Sequence, residues 1–194
     1  PMFVFAIMVV AGSRSILHLA MALVRTIAAF VPFGGALGFT FVALAFVPLL
    51  GSFITEPAAM TLAALILRDR LFATGASTRL KYAALGALFV NVSIGGTLTP
   101  FAAPPVLMVA GKWGWDVWFM LATFGWKAGL AVVVNSLAVC LLFRDELRKL
   151  PAPSEEAVER IPGLVVAAHV GFLAGIVAFA HRPAVFLALL VAFL

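Results

Sequence analysis

The 194-residue sequence has few of the residues with which soluble proteins cover their surfaces. Only 11% of its residues are charged, whereas 64% are hydrophobic. A soluble domain has about 25% charged and about 45–50% apolar residues, so a soluble fold of this size could not bury so much apolar surface. Intrinsic disorder is excluded by the same shortage of charge. Long apolar runs without alternation argue against a membrane β-barrel, and the composition predicts an all-α polytopic membrane protein.

Cysteine is nearly absent as well. The single Cys140 lies within an apolar run, which excludes an internal disulfide framework and a thiolate metal cluster. Motifs for nucleotide binding, zinc hydrolases and serine hydrolases are also missing, so we expect neither an enzyme nor a cofactor. The net charge of +5 comes largely from short basic loops between apolar runs. That arrangement favours membrane orientation over nucleic-acid binding.

Apolar runs and their interruptions divide the chain into segments. The sequence begins and ends within apolar runs, so we expect a fragment of a longer transporter whose second half is missing. The predicted segments are a truncated span (1–12), an amphipathic helix (13–33), a re-entrant hairpin (34–67), a broken helix (82–111), a span (117–143), a polar linker (144–161) and two further helices (162–194).

Basic residues predict the orientation of these segments. Eight of the 13 Lys and Arg residues lie in 68–81 and 144–161, so both loops are expected in the cytoplasm. The segments 82–111 and 117–143 supply the two crossings between the loops. Residues 34–67 must then return to the side from which they start, as a hairpin does.

One acidic residue differs from the other seven in its surroundings. Glu56 lies between two apolar arms and beside Pro57, whereas the other acids lie in loops or at turns. An ionisable group at membrane depth indicates a functional site. The alternatives are a carboxylate at a wet loop end and a permanent structural ion pair.

The helix in 82–111 is interrupted by a segment rich in oxygen ligands. Secondary transporters use such breaks to bind ions, and hydroxyl and amide oxygens suit a small cation. A packing kink or a contact between small residues would also explain a break. The candidate ion-binding residues here are Asn91, Ser93, Gly95, Gly96, Thr97 and Thr99.

A lysine lies deep in the span that follows. Lys127 is 11 residues into 117–143, about 16 Å along the helix and near the middle of a core about 30 Å thick. We expect it to pair with Glu56, the only deep acid. Snorkelling, or a partner elsewhere, is the alternative. His169 fits a packing or hydrogen-bonding role better than a proton relay.

The order of these motifs resembles a known transporter group. Residues 91–105, NVSIGGTLTPFAAPP, resemble the NIGG-x-x-T-x-x-G-D-P-P-N segment of the ion transporter superfamily. That superfamily includes arsenite permeases, sodium/proton antiporters and divalent-anion/sodium symporters. With SFITEPAAMT before the segment and GKWGWD after it, residues 34–145 look most like a bacterial sodium/proton antiporter family.

The resemblance implies two inverted repeats, each with a re-entrant hairpin and a broken helix that together bind an ion. Residues 1–143 would be the first repeat and 162–194 the start of the second. Ala103 and Val106 replace an Asp and an Asn of the superfamily pattern, and the Ser-Asn-Thr tip of the anion symporters is absent, which favours a cation. The implied hairpin tip is Ser52, Thr55 and Glu56, and the implied sodium ligands are Glu56, Asn91 and Thr97.

We therefore predict a secondary transporter that exchanges sodium for protons across the bacterial inner membrane by alternating access. The expected partners are sodium, protons, the lipid bilayer and the second half of the protein, and a homodimer is left open. One alternative is an anion or arsenite permease of the same superfamily, in which Lys127 helps to hold the anion. The other is a membrane scaffold that transports nothing.

Overall fold

The computed structural model describes residues 2–11, 13–31, 34–151, 162–179 and 182–194. All regular secondary structure within these ranges is helical, which confirms the predicted all-helical class. Two of the helices, Gly35–Ile54 and Val117–Leu142, are long and apolar enough to cross a membrane. The chain divides into a smaller unit, Pro1–Ala22 with Glu156–Leu194, and a larger unit, Leu23–Glu155.

Eleven α-helices occur in the described ranges, together with two π-helical turns and one 3-10 turn. The π-helical turns are Arg68–Phe72 and Leu121–Gly125, and the 3-10 turn is Gly96–Leu98. The helices are α1 (Met2–Ala11), α2 (Arg14–Phe30), α3 (Gly35–Ile54), α4 (Glu56–Leu67), α5 (Thr78–Gly95), α6 (Pro104–Trp113), α7 (Val117–Met120), α8 (Trp126–Leu142), α9 (Arg144–Leu147), α10 (Gly163–Ala178) and α11 (Pro183–Phe193).

In the larger unit, α3 and α4 form an antiparallel helical hairpin. Thr55 alone separates the two helices, and Pro57 lies in the first turn of α4, where its missing N–H removes no helix bond. Gly51 allows the arms to approach, because a Cβ at this position would lie 3.1 Å from the Cβ of Ala59. The turn falls within the segment in which sequence analysis places the hairpin tip.

Helices α5 and α8 complete the core of this unit by packing on α3 and on each other. Contacts from residues 44 and 52 of α3 to residues 91 and 99 show that α3 and α5 run in the same direction. Helix α8 runs in the opposite direction. The Sγ of Cys140, near the end of α8, lies 3.9 Å from the carbonyl oxygen of Leu37, near the start of α3.

The loop predicted at 68–81 is shorter than expected, because α5 begins at Thr78. Ser77 caps this helix, its Oγ accepting a hydrogen bond from the Leu80 N–H at 3.2 Å. The Ser77 N–H and Oγ also donate to the two carboxylate oxygens of Glu146, at 2.6 and 2.9 Å. The two basic segments that sequence analysis assigns to one membrane face therefore meet at one end of the unit. Of the linker predicted at 144–161, residues 152–161 lie outside the described ranges.

The span predicted at 117–143 contains a π-helical turn, Leu121–Gly125. Asp116 caps its start, accepting a hydrogen bond from the Phe119 N–H at 2.7 Å. Trp115 packs on Phe119 and Phe124, with ring centroids 5.4 Å away in each case. The π turn packs against the 3-10 turn Gly96–Leu98, so the widened part of this helix adjoins the break after α5.

In the smaller unit, α1, α10 and α11 pack against one another. The half-buried His169 donates a hydrogen bond from Nδ1 to the Val165 carbonyl at 2.7 Å and contacts the Phe193 ring edge-on at 5.2 Å. These contacts agree with a hydrogen-bonding and packing role for His169. Helix α1, assigned by sequence analysis to the first repeat, packs in this unit with α10 and α11, which were assigned to the second.

Candidate functional site

The two predicted interruptions meet at the hairpin tip. Ser52 donates from its Oγ to the Gly95 carbonyl and accepts from the Leu98 N–H at 3.0 Å. Thr99 Oγ1 donates to the Ser52 carbonyl at 2.7 Å. Ser52 and Thr99 are both buried. We call these four residues the latch, because they join the end of α3 to the break after α5.

The backbones of α3 and α5 are in contact at Gly95, one of the latch residues. A Cβ built on Gly95 would lie 2.6 Å from the carbonyl carbon of Pro48 and would collide with its oxygen. Any side chain at position 95 would therefore force the two helices apart. Gly95, predicted as an ion-site residue because glycine allows close approach, allows the approach of α3.

Glu56 is the first residue of α4 and is half-buried. Ser93 Oγ donates to its Oε1 at 3.4 Å, and its Oε2 is 3.9 Å from the position of a Cβ built on Gly96. Within the described ranges no Lys, Arg or His forms an ion pair with it. The carboxylate lies at the amino-terminal end of the helix dipole, which favours a negative charge.

Thr55 has an unusual backbone conformation and an unused hydroxyl. Its φ is 91°, a value that β-branched residues rarely adopt. The residue is only 3% exposed, and its Oγ1 is buried without a hydrogen-bond partner. Buried hydroxyls are nearly always paired, so this oxygen is available to a ligand. We refer to Thr55, Glu56, Ser93 and Gly96 as the carboxylate pocket.

The remaining oxygen-bearing candidates lie beside this pocket or away from it. Thr97 Oγ1 donates to the Ile94 carbonyl at 2.7 Å and so caps the end of α5. Asn91 is fully buried about one turn before Gly95, the first residue of α5 in the latch, and its amide bonds to α3 and α8. The structure thus brings Glu56, Ser93 and Gly96 together, ties Ser52, Gly95 and Thr99 into the latch, and leaves Asn91 elsewhere.

Lys127 does not reach the pocket in this structure. Its side chain is exposed, and its Nζ lies 5.5 Å from the ring centroid of the neighbouring Trp126. Sequence analysis predicts an ion pair with Glu56 from the depth of the two residues along their segments. The pair is not formed here, because Lys127 lies on the opposite side of α8 from the buried row Ala128, Val132, Ser136 and Cys140.

Among the described residues, no group of three or more His, Cys, Asp and Glu side chains lies together as a high-affinity metal site requires. A cation at the carboxylate pocket would instead have one charged ligand and several neutral oxygens. Ligands of that kind suit hard, weakly held ions.

The latch leads to a stability prediction. Ser52→Ala removes the two hydrogen bonds by which the Ser52 hydroxyl joins α3 to the Gly95 carbonyl and the Leu98 N–H, which we expect to lower the Tm in detergent by about 6 °C. Thr40→Val is the matched control on α3. The Thr40 hydroxyl bonds only to Ala36 of its own helix, so its loss should change Tm little. Equal Tm values for the two variants would show that the Ser52 hydroxyl contributes nothing to stability.

The described residues thus define an all-helical protein with two helices fit to cross a membrane and a half-buried carboxylate between two helix interruptions. The sequence model of the family described as "Putative Na+/H+ antiporter" matches residues 1–194, and the chain belongs to this family. No curated protein and no solved structure matches the chain.

Proposed function

We propose that the chain forms part of a secondary transporter that exchanges sodium for protons at Glu56. The carrying observation is the carboxylate pocket: a half-buried carboxylate without a cationic partner among the described residues, beside a buried, unpartnered hydroxyl. An acid kept for structure would be expected to have an ion pair or several strong hydrogen bonds. Glu56 has one long bond, from Ser93, and so can exchange ligands readily.

The proposed sodium site consists of Glu56 with neutral oxygens from Ser93, Thr55 and Thr97. Ser93 Oγ contacts the carboxylate, and the Thr55 hydroxyl has no other partner. The Thr97 hydroxyl keeps its lone pairs while it donates to Ile94. The oxygens of Ser52 and Thr99 are engaged in the latch, so we assign those two residues to holding the site together.

Proton coupling follows from the single charge of this site. Sodium binds the ionised carboxylate, whereas a proton neutralises it, so the two cations exclude each other. Alternating access then exposes the loaded site first to one side of the membrane and then to the other. The sodium and proton fluxes are coupled because both require Glu56.

The proposed location is the bacterial inner membrane, with the basic loops in the cytoplasm. The hydrogen bonds between Ser77 and Glu146 support a common side for these loops, since they join the two segments at one end of the unit. The re-entrant course proposed for the α3–α4 hairpin is supported by the directions of α3, α4 and α5. Helix α3 begins, and helix α4 ends, near the level at which α5 begins.

A cation panel in membrane vesicles tests this function. The full-length protein is placed in everted vesicles from cells without their own antiporters, and a pH gradient is followed with a fluorescent dye. We expect sodium to collapse the gradient, with an apparent KM that rises as the pH falls, because protons occupy the same carboxylate. Potassium and choline salts are the matched controls.

Two results would count against the proposal. Gradient-driven movement of arsenite or a dicarboxylate without a sodium effect would favour the anion permease. Absence of any solute effect, in vesicles that contain the folded protein, would favour the scaffold. The geometry gives the anion permease no support, since Lys127 lies over Trp126 rather than at the pocket.

A further inference from the structure

A buried polar cluster around Asn91 joins α3, α5 and α8. Asn91 of α5 donates from Nδ2 to the Leu44 carbonyl of α3 at 2.8 Å and to Ser136 Oγ of α8 at 3.1 Å. Its Oδ1 accepts from Asn135 Nδ2 at 3.1 Å. Ser136 in turn donates to the Val132 carbonyl at 2.7 Å. We call Asn91, Asn135, Ser136 and the Leu44 carbonyl the polar node.

The Leu44 carbonyl needs an outside partner because of a proline four residues later. In an α-helix this carbonyl would accept from the N–H of residue 48, and Pro48 has none. Leu44 is fully buried, so water does not reach its backbone from the surface. An unpaired buried carbonyl is costly, and the amide of Asn91 removes that cost.

The node lies on the same helix faces as the latch. Residues 44, 48 and 52 of α3 are spaced by four, as are residues 91, 95 and 99 of the segment that contains α5. Each pair of positions is in contact: Leu44 with Asn91, Pro48 with Gly95, and Ser52 with Thr99. The node is therefore the first of three consecutive contacts, the last of which is at the hairpin tip.

We infer that Asn91 is a positioning residue that replaces the helix hydrogen bond removed by Pro48 and thereby sets where Ser52 meets the break. Asn135 and Ser136 orient the amide by bonding to both its ends. Eight residues of helix separate Leu44 from Ser52, about 12 Å at 1.5 Å per residue. Because both ends of the Asn91 amide are engaged in the polar node, Asn91 acts on the ion site through α3 and does not bind the ion. Its effect on sodium rests on the proposed function, whereas its effect on stability does not.

A double-mutant cycle tests the inference. The variants are Asn91→Ala, Pro48→Ala and the two combined, in the full-length protein. Replacing the proline by alanine restores the N–H that the Leu44 carbonyl lacks, so Asn91 should become less important. We expect Asn91→Ala to lower the Tm by about 6 °C with Pro48 present and by less than about half of that in the Pro48→Ala background. An equal loss in both backgrounds would overturn the inference.

Sodium transport provides a second measurement on the same variants. Asn91→Ala should raise the apparent sodium KM by about threefold, through displacement of the latch, and leave its dependence on pH intact. Pro48→Ala should largely restore the KM of the Asn91 variant. A raised KM that Pro48→Ala does not restore would mean that Asn91 binds the ion directly, which contradicts the inference. If the wild type moves no sodium, the proposed function fails while the Tm cycle still decides the role of Asn91.

Discussion

Glu56→Gln is expected to abolish sodium-driven proton movement in vesicles, with a loss of at least about tenfold. The substitution removes both the charge that attracts sodium and the group that releases the proton. The fold should remain, because the glutamine carbonyl can still accept the hydrogen bond from Ser93 Oγ. Sodium-dependent collapse of the pH gradient is the measurement, with Tm in detergent as the check on folding.

Two further variants test whether the loss of transport is specific to the Glu56 carboxylate. Glu56→Asp keeps the charge but shortens the side chain, so we expect a raised sodium KM with its pH dependence retained. Asp145→Asn is the matched neutralisation, because that carboxylate is 81% exposed and pairs with Arg144 on the surface. Its transport should equal that of the wild type. Sodium exchange that still depends on pH in folded Glu56→Gln protein would rule out Glu56 as the coupling residue.

The largest loss of stability is expected from Gly95→Ala. The new methyl group would overlap the Pro48 carbonyl, and neither backbone can yield without moving a helix. We expect the Tm in detergent to fall by about 10 °C, the upper range for overpacking a buried contact. Because the latch begins at the same residue, sodium transport should fall as well.

Gly86→Ala is the control for this substitution, since Gly86 belongs to the same helix. A Cβ at position 86 meets nothing within 4 Å. Alanine is also a better helix former than glycine, so the Tm of the Gly86→Ala protein should be unchanged or slightly higher than that of the wild type. Similar Tm values for the two alanine variants would mean that α3 and α5 do not touch at Gly95.

Local signals in the sequence are sufficient to locate both interruptions. Thr55 and the end of α5 at Gly95 fall where glycine, proline and hydroxyl residues interrupt apolar runs. Such residues act on the backbone next to them, so their effect can be read from a short window. Glu56 stands out for a similarly local reason, as an acid between two apolar arms.

Other features depend on packing between distant segments and were not predicted. The π turn Leu121–Gly125 lies in a run whose composition is that of an ordinary helix. The expected pairing of Lys127 with Glu56 rests on depth alone, although the side of the helix on which a residue lies matters as much. Asn135 and Ser136 were not predicted, because their role depends on contacts with Asn91, which lies 44 and 45 residues earlier in the chain.

The backbone of Thr55 has a consequence for how the protein is assembled. A threonine with a φ of 91° holds that conformation only when its surroundings impose it. The latch ties Ser52, three residues before Thr55, to the end of α5 and the break after it, and these follow the hairpin in the chain. An isolated peptide of residues 34–67 is therefore expected to form helix without the native turn, which NMR couplings at Thr55 would report. The ion site and the docking of α5 would then arise in one step, so the hairpin acquires its ligand geometry only after the helix that completes it has been made.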